Sequence, residues 1–513
     1  MTPNKLRATP VRTVNKAAFL AVLLMALTTG CVSSPSTSEG ASPGRIGSST
    51  PESVSGAPGE RSAAKAPASP ETFEPGPFYK ANIGDFETRT LSNGIKLYVK
   101  RNRANRVLNL KLVILGGASR VPRDKAGLDG TTLSLLSRGS AAYSYESILD
   151  AEYRTSSSIS YSSGYDYSSY DLNCIDTYFP ELLEIYLDGF LRPAFRPERF
   201  QDVRNEAAQA QEARMGDPDQ RGRYLGTQAI FAGHPYASDP SGTPESLDSI
   251  TIEDVRAHHG SLLNADRIFL AAVGNFDVDA LAARLETALG TLPRKGSAAP
   301  VSEPPKTSGP PILEAHPASE GVAYIQGYFR IPGRQDKDYI PFAIAADMLD
   351  DLMFNVVREK YGACYSVGAI FRPAAASYGI LWIYQASDIE GIRKYVKEAA
   401  DYLAQGKLIR SKDASGQYVL ASIEDRLPAY RSKYVNAVFA NQRTNSDIAA
   451  QVVRSVVYAG DPADYLRTPD RIHAVTPADI RRVYKTWFLD QSFRWVIVSD
   501  EAGLKRVPAE EYR

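Results

Sequence analysis

A segment near the middle of the chain is repeated near its carboxyl end. Residues 249–256 read SITIEDVR and residues 474–481 read AVTPADIR, so five of the eight positions are identical or closely similar. Each copy is followed by a helical pattern and then by a largely apolar run, 268–273 and 493–498. An internal repeat of this kind predicts two structurally similar units. We therefore expect two α+β domains of roughly 200 residues each.

The composition divides the chain into five stretches. Residues 1–30 begin with basic side chains and continue with an apolar run, as a signal peptide does. Residues 31–77 consist mainly of Ser, Pro, Gly, Ala and Thr, which predicts a flexible tether. The proline-rich stretch 296–311 predicts a linker. It separates an amino-terminal domain, 78–295, from a carboxyl-terminal domain, 312–513.

The end of the signal peptide is similar to a bacterial lipobox. The apolar run Ala17–Leu27, too short to span a bilayer, leads into Thr28-Thr29-Gly30-Cys31. Cys31 would then become the lipidated first residue of the mature protein. The alternative is an ordinary signal peptide with an accidental cysteine. Acyl chains on Cys31 would hold the protein on a membrane of the bacterial cell envelope, as a periplasmic or outer-membrane lipoprotein.

Charge and residue usage argue against several classes of site. The chain has 513 residues, with 59 basic and 59 acidic side chains, so its charge gives no reason to expect a nucleic-acid partner. Five histidines in the whole chain argue against a histidine-rich metal centre. Cys174 and Cys364 lie in apolar contexts in different halves, so we expect two buried free thiols.

Hydrophobic periodicity predicts the main elements. Residues 107–115 alternate between apolar and partly polar side chains, as a half-buried strand does. Helical patterns cover Phe179–Leu191, Pro197–Met215 and Pro341–Lys360.

The stretch Ala126–Ser140, AGLDGTTLSLLSRGS, predicts a short buried helix that ends at a glycine. It resembles the frame in which the M16 (pitrilysin-like) zinc peptidases carry Gly-Leu-Ala-His-x-x-Glu-His. There, two histidines one helical turn apart bind zinc and the glutamate activates a water. Gly130, Leu133 and Ser134 stand at the matching positions of this chain. The resemblance therefore implies an M16 fold without its zinc site.

This resemblance covers nearly the whole chain after residue 78. It implies two homologous domains, each a mostly antiparallel sheet with helices packed on one face. Glu212 matches the family's third zinc ligand, and Asn205 stands where the family has an accompanying glutamate. One carboxylate without its two imidazoles does not hold zinc at useful affinity. We therefore expect this chain to bind no cofactor of its own.

The second domain keeps a motif that the resemblance marks as substrate-contacting. Arg358 and Tyr365, in REKYGACY, match the family's Arg-x6-Tyr element. A guanidinium and a phenol can both donate hydrogen bonds to a peptide carbonyl, including one that develops negative charge. In the structural alternative, Arg358 caps the carboxyl end of its helix and Tyr365 packs in the core.

Three hypotheses for function follow. In one branch of the M16 family two half-size chains divide the work, and this sequence resembles the chain that supplies Arg and Tyr to a zinc-bearing homologous partner. It would be inactive alone, form a heterodimer and contact peptide substrate in the shared chamber. A second hypothesis is a peptide-binding or scaffold subunit of a membrane complex without proteolysis. The third and weakest is a stand-alone metallopeptidase with an atypical site.

The absent ligands lead to a prediction about metal content. Elemental analysis of the purified, dialysed protein should find well below one zinc per chain, because Gly130, Leu133 and Ser134 provide no imidazole or carboxylate. One tightly held zinc per chain would contradict the assignment of these three positions and would favour the stand-alone peptidase.

Overall fold

A computed structural model of the protein describes residues 83–297 and 301–512. The expected signal peptide, Cys31 and the tether lie outside these residues. Within them, no helix has the length and apolar character needed to cross a bilayer.

The first half of the chain forms a six-stranded sheet with the order β1-β2-β6-β3-β5-β4. Its strands are β1 (Phe86–Thr90), β2 (Lys96–Arg101), β3 (Val107–Leu115), β4 (Ser158–Ser163), β5 (Tyr167–Ile175) and β6 (Ile268–Gly274). Its helices are α1 (Leu128–Leu135), α2 (Tyr145–Thr155), α3 (Phe179–Leu191), α4 (Pro197–Met215), α5 (Pro218–Ile230), α6 (Pro244–Ser249), α7 (Ile252–Leu262) and α8 (Val278–Leu289).

The second half forms a five-stranded sheet with the order β7-β13-β8-β10-β9, and a separate hairpin of β11 and β12. Its strands are β7 (Ile312–Ala315), β8 (Ala323–Arg330), β9 (Cys364–Arg372), β10 (Tyr378–Ala386), β11 (Lys407–Lys412), β12 (Tyr418–Ser422) and β13 (Arg494–Ser499). Its helices are α9 (Tyr339–Met353), α10 (Ile392–Ala404), α11 (Ile423–Ala440), α12 (Asn445–Ala459), α13 (Thr468–Ala474), α14 (Pro477–Tyr484) and α15 (Glu501–Lys505).

The two sheets share one topology. The order β2-β6-β3-β5-β4 in the first half corresponds strand by strand to β7-β13-β8-β10-β9 in the second. The single parallel pair falls at the same place in each sheet, between β2 and β6 and between β7 and β13, and the other pairs are antiparallel. The expected α+β class with two homologous, mostly antiparallel sheets is therefore confirmed.

Each sheet packs helices of its own half on one face. In the first half, Leu110 and Leu112 of β3 are fully buried in one core with Tyr186 and Phe190 of α3. The Tyr186 hydroxyl accepts a hydrogen bond from the Leu112 amide, so this face is fixed by a polar contact as well as by packing. The two cysteines are buried and free, as expected, and burial raises the pKa of each thiol to about 12.

The other face of each sheet is covered by a helix from the opposite half. Val452 and Val453 of α12 share a core with Val113 and Phe269 of the first sheet. In return, α5 of the first half packs on β8 and β13 of the second sheet, where Ile230 joins a core with Tyr328. We expected helices on one face only. The helices that pack on the sheet of their own half do lie on one face of it. Helices α5 and α12 add a helical layer on the other face of the opposite half's sheet.

One buried carboxylate also joins the two halves. Asp166, in the turn between β4 and β5, is 4% exposed. It accepts hydrogen bonds from the Tyr236 hydroxyl of the first half, from the Tyr458 hydroxyl of α12 at 2.9 Å and from the Ala375 amide at 2.9 Å. The last two donors belong to the second half. The Asp166 carboxylate therefore joins the two halves by directional hydrogen bonds, in addition to the apolar packing of the exchanged helices.

The exchange depends on a glycine. A Cβ on Gly226, in α5, would lie 2.1 Å from the ring of Tyr328, which is itself fully buried. The missing side chain is therefore what lets α5 approach the second sheet.

We expect Gly226→Ala to destabilise the protein by about 1–3 kcal/mol, because the added methyl overlaps a buried ring. Gly260 is the matched control: it also lies in a helix, but nothing is within 4 Å of an added Cβ. Gly260→Ala should stabilise the protein by about 0.5–1 kcal/mol through helix propensity. Unfolding by urea compares the two variants, and a shift of the same sign in both would contradict this account.

Candidate functional site

The helix that corresponds to the M16 zinc helix, α1, is almost wholly buried. It begins after Gly127, whose φ of 92° is in the left-handed region, and its side chains lie in the first-half core. Leu133 is fully buried in that core, and Ser134 is 5% exposed. Gly130 is half-buried. None of these three residues offers an imidazole or a carboxylate, so they do not fit a zinc ion.

A buried polar cluster lies beside these positions. Asp129, 1% exposed, is 2.9 Å from Nε2 of His258 in α7 through its Oδ1. Its Oδ2 accepts hydrogen bonds from the hydroxyls of Ser163, at 2.6 Å, and Ser168. These four residues, the Asp129 cluster, tie α1 to α7 and to the strands β4 and β5.

The Asp129 cluster has the residue types of a Ser-His-Asp triad but a different connectivity. In a triad the serine bonds to the imidazole, which the carboxylate orients from its other side. Here both serine hydroxyls donate to the carboxylate, and the described residues contain no hydroxyl bonded to the His258 ring. The cluster therefore activates no nucleophile and serves to neutralise and hold a buried charge. Its members are too far apart in sequence for any local pattern to reveal it.

The pKa of Asp129 reflects these contacts. Burial alone would raise it, but the hydrogen bond and charge of His258 and the hydrogen bonds of Ser163 and Ser168 outweigh burial and hold the pKa below the usual 3.8. The ionised carboxylate is thus the stable form at neutral pH.

The remaining candidate ligand lies on α4, which packs against α1. Glu212 is exposed there, and so is Asn205. The neighbouring Gln211 is buried instead, and it accepts a hydrogen bond from Arg214 at 3.3 Å. Across residues 83–297 and 301–512, no group of three or more His, Cys, Asp or Glu side chains is placed to hold a metal ion.

The structure brings Arg358 and Tyr365 together. Helix α9 continues directly into a π-helix, Phe354–Lys360, which carries Arg358. The guanidinium carbon of Arg358 lies 4.9 Å from the centre of the Phe354 ring and 5.7 Å from that of Tyr365. Tyr365 is 58% exposed, so it does not pack in the core as the structural alternative required. Both side chains are accessible to a ligand.

An aromatic surface continues from Tyr365 along β10. The ring of Tyr384 lies 6.3 Å from that of Tyr365 and 4.9 Å from that of Tyr324. Gln385 follows Tyr384 on β10 and has a φ of 52° at an irregularity in the pairing of β10 with β8. Its side-chain amide donates a hydrogen bond to the Tyr324 hydroxyl at 3.3 Å. A non-glycine residue in this region is strained, which is common where a bulge orients side chains for function.

The strand that begins next to this surface has a free edge. β9, which carries Tyr365, pairs only with β10 and is the outer strand of its sheet. An edge of this kind can pair with an extended chain through its amide and carbonyl groups, although the Ala369 amide already donates to the Asp350 carboxylate at 2.9 Å. Arg358, Tyr365 and the edge of β9 together form a surface able to bind a peptide backbone. Among the described residues, no hydrogen bond, ion pair or ring contact links Arg358 or Tyr365 to the Asp129 cluster.

The Asp129 cluster leads to a prediction about stability. Asp129→Asn should lower the free energy of unfolding at pH 7 by about 1–3 kcal/mol, because it removes charge-assisted hydrogen bonds. Since the folded-state pKa is depressed, this stabilisation is present above the unfolded value of 3.8 and is lost as the pH falls through the lower folded value.

The matched control is Asp150→Asn, which removes a carboxylate from an exposed position on α2. Urea titrations from pH 7 to pH 3 measure the difference. Equal curves for both variants would show that the Asp129 cluster does not hold α1 in place.

Comparison with known proteins links this architecture to one family. A family model described as the Peptidase M16 inactive domain matches residues 249–408. An uncharacterized zinc protease of Mycobacterium tuberculosis is 25% identical over 203 residues, which are 37% of this chain and 44% of that protein. A non-peptidase homolog, YmxG, of Helicobacter pylori is 20% identical over 237 residues, which are 45% of this chain and 55% of that protein. The chain thus spans about half the length of these relatives.

Solved structures agree with the fold. The peptidase M16 inactive domain from Pseudomonas fluorescens superposes with a TM-score of 0.70 at 18% identity, over 81% of this chain and 98% of that one. The periplasmic protease PqqL from Escherichia coli gives 0.68 at 16% identity, over 81% of this chain and 46% of that one. The family model over residues 249–408, the shared fold and the altered zinc helix thus make this chain similar to the inactive-domain proteins of the M16 peptidase family, without the family's zinc-binding motif.

Proposed function

We propose that this chain is the non-catalytic subunit of an M16-type peptidase of the bacterial envelope. It supplies Arg358 and Tyr365 as peptide contacts to a homologous partner that carries the zinc. The observation that carries the proposal is the contrast between the two halves: two of the three zinc positions of α1, Leu133 and Ser134, are buried, whereas Tyr365 is exposed with the half-buried Arg358 beside it.

The chemistry of the two retained side chains suits a peptide backbone. A guanidinium donates hydrogen bonds in a fixed plane and a phenol adds one more, and both can stabilise a carbonyl oxygen that gains negative charge during hydrolysis. The free edge of β9 offers main-chain pairing to the same peptide. Because α1 lacks a water-activating glutamate and zinc ligands, the hydrolytic step falls to the partner.

Two observations support a location in the bacterial envelope. The lipobox-like ending at Cys31 fits a lipid anchor, and the similar fold of a protein described as a periplasmic protease fits the same compartment. Lipidation at Cys31 would place the subunit at a membrane surface, where a heterodimer meets exported peptides.

A second candidate is a peptide-binding or scaffold subunit without proteolysis. It is favoured by the H. pylori relative, which is named as a non-peptidase homolog.

The test is reconstitution with an M16 homologue from the same organism that carries an intact HxxEH motif. We expect the two chains to co-purify and to cleave internally quenched peptides together, with neither chain active alone. Arg358→Ala should lower kcat/KM of the complex by about 10- to 100-fold, the loss of charge-assisted hydrogen bonds to the substrate. Tyr365→Phe should cost up to about tenfold, because one neutral hydrogen bond is lost.

Arg410→Ala is the matched control, since Arg410 is exposed on β11 and forms no ion pair with any described residue. It should leave kcat/KM unchanged. A complex that forms but cleaves nothing would favour the scaffold. An active complex that tolerates Arg358→Ala would remove the assigned role of Arg358.

A further inference from the structure

The π-helix that carries Arg358 makes specific contacts at both of its ends. It runs over Phe354–Lys360 and continues α9 without a break. Val356 and Val357, in its middle, are fully buried in the second-half core, so apolar packing fixes one side of it. Because a π-helix is a rare conformation, contacts with its surroundings must favour it over a further turn of the preceding α-helix.

Arg358 depends on this backbone for its position. Its guanidinium lies over the rings of Phe354 and Tyr365. Its Nε is 3.9 Å from Oε1 of Glu359, which is too long for a hydrogen bond. Among the residues that the structure describes, none forms a hydrogen bond with this guanidinium. A change in the path of the π-helix would therefore move the guanidinium away from Tyr365.

The first end of the π-helix is bound by a hairpin. The Tyr418 hydroxyl of β12 donates a hydrogen bond to the Asn355 carbonyl. In the described part of the first half, residues 192–196 join α3 directly to α4, whereas the hairpin of β11 and β12 stands between α10 and α11. Tyr418 thus comes from an element that the half with Arg358 has in addition to the shared topology.

The second end is bound by Glu398 of α10. Its Oε1 pairs with Lys360 Nζ at 2.7 Å, and its Oε2 accepts a hydrogen bond from the Tyr361 hydroxyl at 2.8 Å. The Tyr361 ring also stacks on that of Tyr395, with 3.8 Å between the ring centres. Burial raises the pKa of the Glu398 carboxyl, but the hydrogen bonds of Lys360 and Tyr361 lower it below the usual 4.5. One ionised carboxylate therefore joins this end to α10 by two polar contacts.

We propose that Tyr418 and Glu398 are positioning residues, which fix the two ends of the π-helix and so hold the Arg358 guanidinium beside its aromatic neighbours. Arg358 lies between the two fixed points of the chain. These end contacts are a property of the chain itself. Their consequence for peptide hydrolysis rests on the proposed function, in which Arg358 contacts the substrate.

Hydrogen exchange of the full chain, followed by mass spectrometry, tests the end contacts without any partner. We expect the amides of residues 354–361 to exchange about fivefold faster in Tyr418→Phe and about tenfold faster in Glu398→Ala, because each variant loses hydrogen bonds that restrain this segment. Glu398→Gln should lie between the wild type and Glu398→Ala, since its side-chain carbonyl still accepts one hydrogen bond.

Two variants serve as matched controls and should exchange as the wild type does. Tyr153→Phe also removes a phenolic hydroxyl, but from an almost fully exposed ring of the first half. Asp401→Asn also removes a carboxylate from α10, but Asp401 pairs with Lys397 of the same helix.

The position of Arg358 is measured by phenylglyoxal labelling, with the exposed Arg410 of the same chain as the reference. In the wild type the Arg358 side chain is half-buried and lies over two aromatic rings. Release of the π-helix exposes it, so its labelling rate relative to that of Arg410 should rise at least about twofold in Tyr418→Phe and in Glu398→Ala.

A double-mutant cycle in the reconstituted complex tests whether the end contacts act through Arg358. Glu398→Ala alone should lower kcat/KM by about three- to tenfold. Added to Arg358→Ala, it should cause no further loss, because the group that it positions is already absent. A merely structural effect would lower kcat/KM equally in both backgrounds.

The proposal is overturned if hydrogen exchange in residues 354–361 is unchanged in both Tyr418→Phe and Glu398→Ala, or if exchange rises but the labelling of Arg358 does not. Additive losses of kcat/KM in the double-mutant cycle would overturn it as well. If the wild-type complex cleaves no peptide, the proposed function fails, and exchange and labelling still decide whether Tyr418 and Glu398 position Arg358.

Discussion

The structure depends on the reciprocal exchange of helices between its two halves. Each sheet has a second apolar face that its own half leaves uncovered, and α12 and α5 cover these faces crosswise. Neither sheet could keep both faces out of water alone, so each half needs the other to complete its core. Asp166 adds a directional contact to this apolar one, because its carboxylate accepts donors from both halves. The two halves thus share two of their hydrophobic cores.

The altered zinc helix of the first half and the retained Arg358 and Tyr365 of the second half differ in how the structure holds them. In the first half, the Asp129 cluster fixes α1 against α7 and the sheet by a buried charge and its hydrogen bonds. That is the kind of cross-linking a structural metal ion provides elsewhere. In the second half, α9 continues into a π-helix that carries Arg358, whose guanidinium carbon lies 5.7 Å from the centre of the Tyr365 ring. Such π-turns are frequent at functional sites.

Much of this arrangement was accessible from sequence because it rests on local pattern. Helices α3 and α4 run over the residues that periodicity predicted, and the resemblance to the Arg-x6-Tyr element singled out Arg358 and Tyr365, which the structure brings together. Long-range contacts were not accessible. Asp129 and His258 are 129 positions apart, and no motif joins them. The exchange of α5 and α12 was also hidden, since an amphipathic pattern shows that a helix is covered but not which sheet covers it.

The complete burial of Leu133 has a consequence for any attempt to build a zinc site into α1. A return to zinc chemistry would need a glutamate at this position, and as a first step it would place an unpaired carboxylate in an apolar core. A histidine in place of the buried Ser134 would also be crowded, and no bound metal would yet offset that loss of stability. Each single substitution toward the zinc-binding motif therefore lowers stability without a gain in activity. Building the motif into α1 requires several compensating substitutions at once.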